Sequence, residues 1–191
     1  MKIPFAKYHG TGNDFVLIDQ FSKKHITEGE QALIRGICDR NFGIGADGLI
    51  LLEPHDEFDF EMKYFNADGL PSSMCGNGGR CIVAFAKSLG IIGDQTRFLA
   101  PDGEHEAKIS GNDVELKMGE VDQILSRDGH FVLNTGSPHF VSFVEDIDDI
   151  QVVENGQAIR YSAEFREEGI NVNFVEEKGG KLIVFTYERG V

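Results

Sequence analysis

Apolar and polar residues alternate along residues 58–65. Phe58, Phe60, Met62 and Tyr64 fall on one face, with Asp59, Glu61 and Lys63 on the other, which predicts a β-strand ended by Asn66. The period then changes. Ile82, Val83, Phe85, Ala86 and Leu89 recur at helical spacing, so a helix is predicted over residues 80–89, closed by Gly90. An earlier helix is expected to carry Leu33, Ile34, Ile37 and Cys38 on one face and to end near Arg40-Asn41. Thr27-Glu28-Gly29-Glu30 is expected to open it as a capping box, with Thr27 at the N-cap. Strands are predicted over residues 2–8, 16–18, 49–52, 97–100, 104–110 and 114–118. Pro101-Asp102-Gly103 and Gly111-Asn112-Asp113 supply turns between the last three.

The grammar restarts after Met118-Gly119-Glu120. Strands are predicted over residues 130–134, 140–144, 170–175 and 182–186, with a helix over 154–162 and a Lys178-Gly179-Gly180 turn. Two domains are therefore expected, residues 1–118 and residues 119–191.

Composition narrows the class. In 191 residues, 41% hydrophobic content is enough for a real core, and 23 glycines suit a strand-rich fold with tight connections. A net charge of −14 argues against nucleic acid or an anionic membrane surface as partner. No apolar run approaches the length of a transmembrane helix, and Met1-Lys2-Ile3-Pro4-Phe5 has no signal-peptide pattern. Three cysteines, an odd number, do not resemble a disulfide framework, and a cytoplasmic protein with reduced thiols is the simple expectation.

The stretch of most chemical interest is Met74-Cys75-Gly76-Asn77-Gly78-Gly79-Arg80-Cys81. Read as a glycine-rich turn entering a helix, it places Cys75 just before the helix N-terminus, where N–H groups and the helix dipole bind anions and favour a thiolate. A thiol so placed can serve as acid or base near neutral pH. The plainer alternative stays open: most cysteines are small buried apolar residues, and a glycine cluster can be only a tight turn. Cys38 and Cys81 are expected in the core. The spacing offers no CxxC pair or Cys/His grouping for a metal. His9-Gly10-Thr11-Gly12-Asn13-Asp14-Phe15 is expected to be a turn presenting Asn13, and it lacks the dinucleotide fingerprint. Glu188 and Arg189, taken alone, read as a solvated surface pair.

Phe65-Asn66-Ala67-Asp68-Gly69 followed by the Cys75 stretch resembles the first catalytic-cysteine motif of the diaminopimelate epimerases, cofactor-independent amino-acid racemases and epimerases. Residues 9–15 resemble the amino-terminal signature of that family. Gly43-Ile44-Gly45-Ala46-Asp47-Gly48 resembles a further signature, in which some members carry a substrate-contacting glutamine where Gly48 stands. The resemblance covers nearly all of the chain. It implies an α+β fold of two similar halves, each a curved, mostly antiparallel sheet wrapped around a central helix, with the active site in the cleft between them.

The activity implied is interconversion of L,L- and meso-diaminopimelate by two-cysteine proton transfer at Cα, in lysine and peptidoglycan-precursor biosynthesis, without pyridoxal phosphate or metal. Cys75 matches the first cysteine, with Gly76 and Asn77 supplying N–H groups to the substrate carboxylate. Asn13, Asn66 and Asn171 match substrate-contacting asparagines. Glu188 and Arg189, in Tyr187-Glu188-Arg189-Gly190, match the pair that reads the distal amino-acid end, and the resemblance also places His139 near the reacting centre and makes His139 and Glu188 candidate catalytic residues beside Cys75. Ser137 stands where the family more often has asparagine. A small-molecule partner and, by analogy, a homodimer follow.

In the family the second cysteine comes shortly after the Tyr187 motif, whereas this sequence stops at Val191. The chain is accordingly expected to be an amino-terminal portion with an incomplete second half, inactive alone. The alternatives are a same-fold racemase or isomerase of another substrate and a non-catalytic diaminopimelate-binding relative.

Overall fold

Residues 2–27 and 29–189 are described by a computed structural model. The chain divides into two compact units, Met1–Met118 and Gly119–Val191. In the first, seven strands pair in chain order: β1 (Ala6–Gly10), β2 (Asn13–Asp19), β3 (Gly48–Glu53), β4 (Phe60–Asn66), β5 (Gln95–Ala100), β6 (Gly103–Ser110) and β7 (Asp113–Leu116). Two pairs are parallel, β2 with β3 and β4 with β5. Each requires a crossover: α1 (Gln31–Cys38) makes the first and α2 (Gly76–Ser88) the second.

The sheet is buried on both faces. Phe15, Leu17, Ile50, Leu52, Met62 and Tyr64 pack with Ile82, Val83 and Phe85 of α2. Val16, Ile18, Leu49, Leu51 and Phe65 pack with Ile34 and Cys38 of α1. Every residue of β3 is accordingly buried, and its unbroken apolar run Leu49-Ile50-Leu51-Leu52 shows why no alternation is present there.

Several elements differ from the pattern in the sequence. The central helix begins at Gly76, four residues before Arg80, so Gly76-Asn77-Gly78-Gly79 is its first turn. Close packing explains glycines in a helix: a Cβ on Gly78 would lie 3.1 Å from Ile50 Cδ1, and one on Gly79 would lie 2.5 Å from Met74 Cε. Thr27 is not the N-cap. The Glu30 carboxylate accepts both the Thr27 N–H, at 2.7 Å, and its hydroxyl, at 3.1 Å, so the hydroxyl is spent on that carboxylate and α1 starts at Gln31 with Glu30 at its N-cap. This helix stops at Cys38, where Asp39 turns extended, and Leu33 is exposed.

The second unit holds a five-stranded sheet ordered β12-β11-β10-β9-β8, from β8 (Ile124–Arg127), β9 (His130–Asn134), β10 (Pro138–Phe143), β11 (Asn171–Lys178) and β12 (Lys181–Tyr187). The polar-flanked β8 is an addition to the expected set. Crossover helix α3 (Val152–Arg160) joins the parallel pair β10–β11, and Phe140, Val172, Phe174 and Tyr187 form the core with Val152 and Ile159. Leu182 and Val184 of β12 remain 61% and 48% exposed. This is the mixed α+β fold of sheets curled on helices that the sequence implied.

Candidate active site

Three strand ends gather at one corner of the first sheet. Phe15 pairs with Gly48, and Gly48 pairs with Asn66, so the start of β2, the start of β3 and the end of β4 are neighbours. The chain leaves β4 at Asn66 and returns to enter α2, which places Cys75 at that helix's N-cap, half-buried and extended (φ −121°, ψ 123°). The first helical bond runs from the Gly79 N–H to the Cys75 carbonyl, 2.8 Å. The N–H groups of Gly76 and Asn77 precede it and end the helix with unspent donors and a positive dipole.

The β1–β2 hairpin closes over this helix end. Its two-residue turn has Thr11 and Gly12 at positive φ (54° and 93°), the left-handed pair that matches strand twist. A Cβ on Gly10 would lie 3.1 Å from Asn77 Cβ, so only glycine lets the hairpin approach so closely. Asn13 thereby meets the helix: its Oδ1 lies 3.6 Å from Cys75 Sγ and 3.5 Å from Asn77 Nδ2. Arg80 donates to Asn77 Oδ1, and the Thr11 hydroxyl, 3.3 Å from that oxygen, gives its proton to the Gly10 carbonyl at 2.7 Å.

Behind Asn13 stands a charged cluster. Asp14 and Asp47 each accept the other's backbone N–H at 3.0 Å. Arg40 bridges their carboxylates at 2.8 and 2.6 Å, and Lys7 reaches Asp14 at 2.7 Å. Led by the bond from Arg40, these partners hold the Asp14 carboxyl well below the usual carboxylate range and Arg40 firmly protonated.

The other two cysteines differ from Cys75. Cys38 and Cys81 are buried, and desolvation pushes each thiol up to about 11. Asn66 is half-buried at the strand end. At Gly48 a Cβ would stand 2.6 Å from the Phe65 carbonyl oxygen and from Tyr64 Cε2, so this corner has no room for a side chain.

In the second unit, His139 pairs with Asn171 across parallel strands, and the Arg189 backbone N–H donates to Asn171 Oδ1 at 2.7 Å. Glu188 is exposed beside it, and Gly190 of that motif lies outside the described residues. Ser137 occupies the β9–β10 turn, its carbonyl accepting the Thr135 N–H. Asn173 is a contributor that sequence patterns missed. Its amide nitrogen faces the carbonyls of Phe140 (3.0 Å) and Asn171 (3.4 Å), and its oxygen accepts the Thr186 hydroxyl. The nitrogen must therefore also be what meets His139 Nδ1, at 3.1 Å, which makes Nδ1 an acceptor and leaves the proton of a neutral ring on Nε2. Burial holds His139 below the ordinary histidine value.

Among the described residues, no group of three or more His, Cys, Asp or Glu is placed to hold a metal ion, and no helix is long and apolar enough to cross a membrane.

Residues 5–124 match the family model described as diaminopimelate epimerase. The chain is 50% identical over 190 residues to a diaminopimelate epimerase of Flavobacterium psychrophilum, covering 97% of this chain and 73% of that protein. It is 44% identical to one of Chlorobaculum tepidum, covering 95% and 74%. In fold it resembles a phenazine biosynthesis protein of the PhzF family from Bacillus anthracis (TM-score 0.66, 14% identity, 96% and 69% covered). A hydroxyproline epimerase from Agrobacterium vitis is similarly alike (TM-score 0.61, 14% identity, 95% and 69% covered).

Proposed function

The chain belongs to the diaminopimelate epimerase family, and on that premise we propose that Cys75 is one of two thiols that interconvert L,L- and meso-diaminopimelate in lysine and peptidoglycan-precursor biosynthesis. The observation that carries this is the seat of Cys75, at the N-cap of α2 with its sulfur on Asn13. The Cα–H of an amino acid is a very weak acid, so the carbanion-like state needs oriented donors to stabilise it. The N–H groups of Gly76 and Asn77 are set to take the substrate carboxylate, whose added charge the helix end favours. Cys75 then exchanges a proton with Cα on one face, and a second thiol serves the other. Burial removes Cys38 and Cys81 from that second role.

Asn13, Asn66, Asn171, Glu188 and Arg189 are the substrate-contacting residues on this reading, Glu188 pairing with the distal ammonium and Arg189 with the distal carboxylate. His139, presenting Nε2–H, assists near the reacting centre.

On this reading the protein isolated from its own cells inverts diaminopimelate. Chiral chromatography of L,L-diaminopimelate incubated with that cellular protein and with its Cys75→Ala variant is the direct test. Loss of the meso product in the variant is expected. Undiminished inversion would remove Cys75 from the chemistry.

A further inference from the structure

The Gly43–Gly48 signature contributes a charged side chain that the proposed mechanism does not use. Asp47 Oδ2 accepts the Asn13 Nδ2 amide at 2.8 Å and the Asp14 N–H at 3.0 Å. A carboxylate held by Arg40 only accepts, so the group of Asn13 that faces it is the NH2. The amide oxygen is thereby turned the other way, onto Cys75 Sγ and Asn77 Nδ2. Asn77 agrees from the opposite side, since Arg80, which can only donate, claims its oxygen and leaves its NH2 for Asn13. Of the two constraints on Asn13, the 2.8 Å bond to a charged acceptor outweighs the 3.5 Å bond from Asn77.

We propose that Asp47 is a positioning residue for Cys75: it fixes the Asn13 amide with its oxygen toward the sulfur, so that Asn13 accepts the S–H and holds Cys75 as the protonated partner. The helix N-terminus favours the thiolate, and the amide oxygen opposes it. The balance lets one cysteine give a proton as readily as it takes one. Asp47 never touches the sulfur and acts through Asn13. The inference rests on Cys75 being the reactive thiol.

The charged groups facing Asp47 and Asn13 are Arg40, Asp14, Lys7 beyond Asp14, and Arg80 beyond Asn77. Removing the Asp47 charge would by itself favour a thiolate, so the test must separate charge from orientation. Asp47→Asn does so in a double-mutant cycle with Asn13→Ala. Arg40 claims the new amide's oxygen, its NH2 then faces Asn13, and the Asn13 amide reverses to point Nδ2 at the sulfur.

The measurement is the pH profile of iodoacetamide alkylation of Cys75, followed by peptide mass spectrometry. The midpoint should fall by about 1 unit in D47N, roughly tenfold more thiolate at a given lower pH. In the N13A background the same change should move it by less than about a third of a unit. An equal shift with and without Asn13, or none in D47N, overturns the proposal. Cys38 and Cys81 report folding, since both must stay unlabelled. If D47N exposes them, D47A is put through the same cycle, and exposure in both assigns Asp47 to structural support and also overturns the proposal. Failure of the underlying premise looks different: Cys75 of the unaltered chain would be labelled no faster than Cys38 and Cys81.

Discussion

Replacing Gly48 by alanine adds one methyl group at a crowded point of the first sheet. The new Cβ would lie 2.6 Å from the Phe65 carbonyl oxygen and 2.6 Å from Tyr64 Cε2. Restoring ordinary contact requires each to retreat by roughly 1 Å. Phe65 is 2% exposed, on β4, and pairs with Leu49 of β3, so its carbonyl has no space to retreat into. Overpacking of this kind costs about 1–3 kcal/mol, against about 0.4–1 kcal/mol regained from a less flexible unfolded chain. The net loss is about 1.3 kcal/mol, a fall in midpoint of roughly 5 °C for a unit of this size. Thermal unfolding followed by circular dichroism at 222 nm reads it directly. Tyr64→Leu separates the two obstacles, because it removes the ring and leaves the carbonyl. Gly48→Ala should still lower the midpoint in that background. A variant melting within about 2 °C of the parent, or above it, would show that the strands part easily here and refute the reasoning. The same geometry predicts that Gly48→Gln destabilises this chain at least as much.

Other expectations follow from the site. Alkali should weaken the first unit between about pH 9 and 11. The folded thiols of Cys38 and Cys81 titrate near 11 and ordinary ones near 9.0, so their stabilisation is complete below the lower value and lost through the higher. Replacing both with alanine should flatten midpoint against pH across that window, and an unchanged slope would show that other groups set it. His139, depressed by burial, contributes stability that is present above the ordinary histidine value and lost as pH falls through its folded value. Asn173→Asp would replace its donor by a carboxylate, and an NMR titration should show the His139 midpoint rise; an unchanged midpoint would mean that Asn173 does not face the ring. In Cys75→Ala, inversion of diaminopimelate by the cellular protein should drop at least about a hundredfold, the scale of a lost acid/base group, as read by product chirality. A substrate panel including proline checks the substrate class, and turnover of proline without diaminopimelate would reassign it.

Element type was legible in the chain wherever one face repeats. The alternation of β4, the apolar stripe of α2 and the Lys178-Gly179-Gly180 turn, with both glycines at positive φ, all follow from local periodicity and backbone freedom. The motif around Cys75 was legible for the same reason, since its chemistry depends on residues adjacent in sequence. What sequence left open was decided by contacts between distant segments. Gly78 and Gly79 read as a turn because glycine is a poor helix former, yet Ile50, Met62 and Met74 press on them and only a bare backbone fits, so the helix starts there. Thr27 matched a cap by spacing, but its hydroxyl went to the Glu30 carboxylate. Asn173 carried no signal at all, and Asp47 only its place in the Gly43–Gly48 signature. Each matters for the orientation it imposes on an amide or a ring reached across the sheet, Asp47 on Asn13 and Asn173 on His139. Periodicity is a property of neighbours along the chain, whereas the direction in which an amide points is settled by whichever acceptor the fold places against it, and only tertiary structure supplies that acceptor.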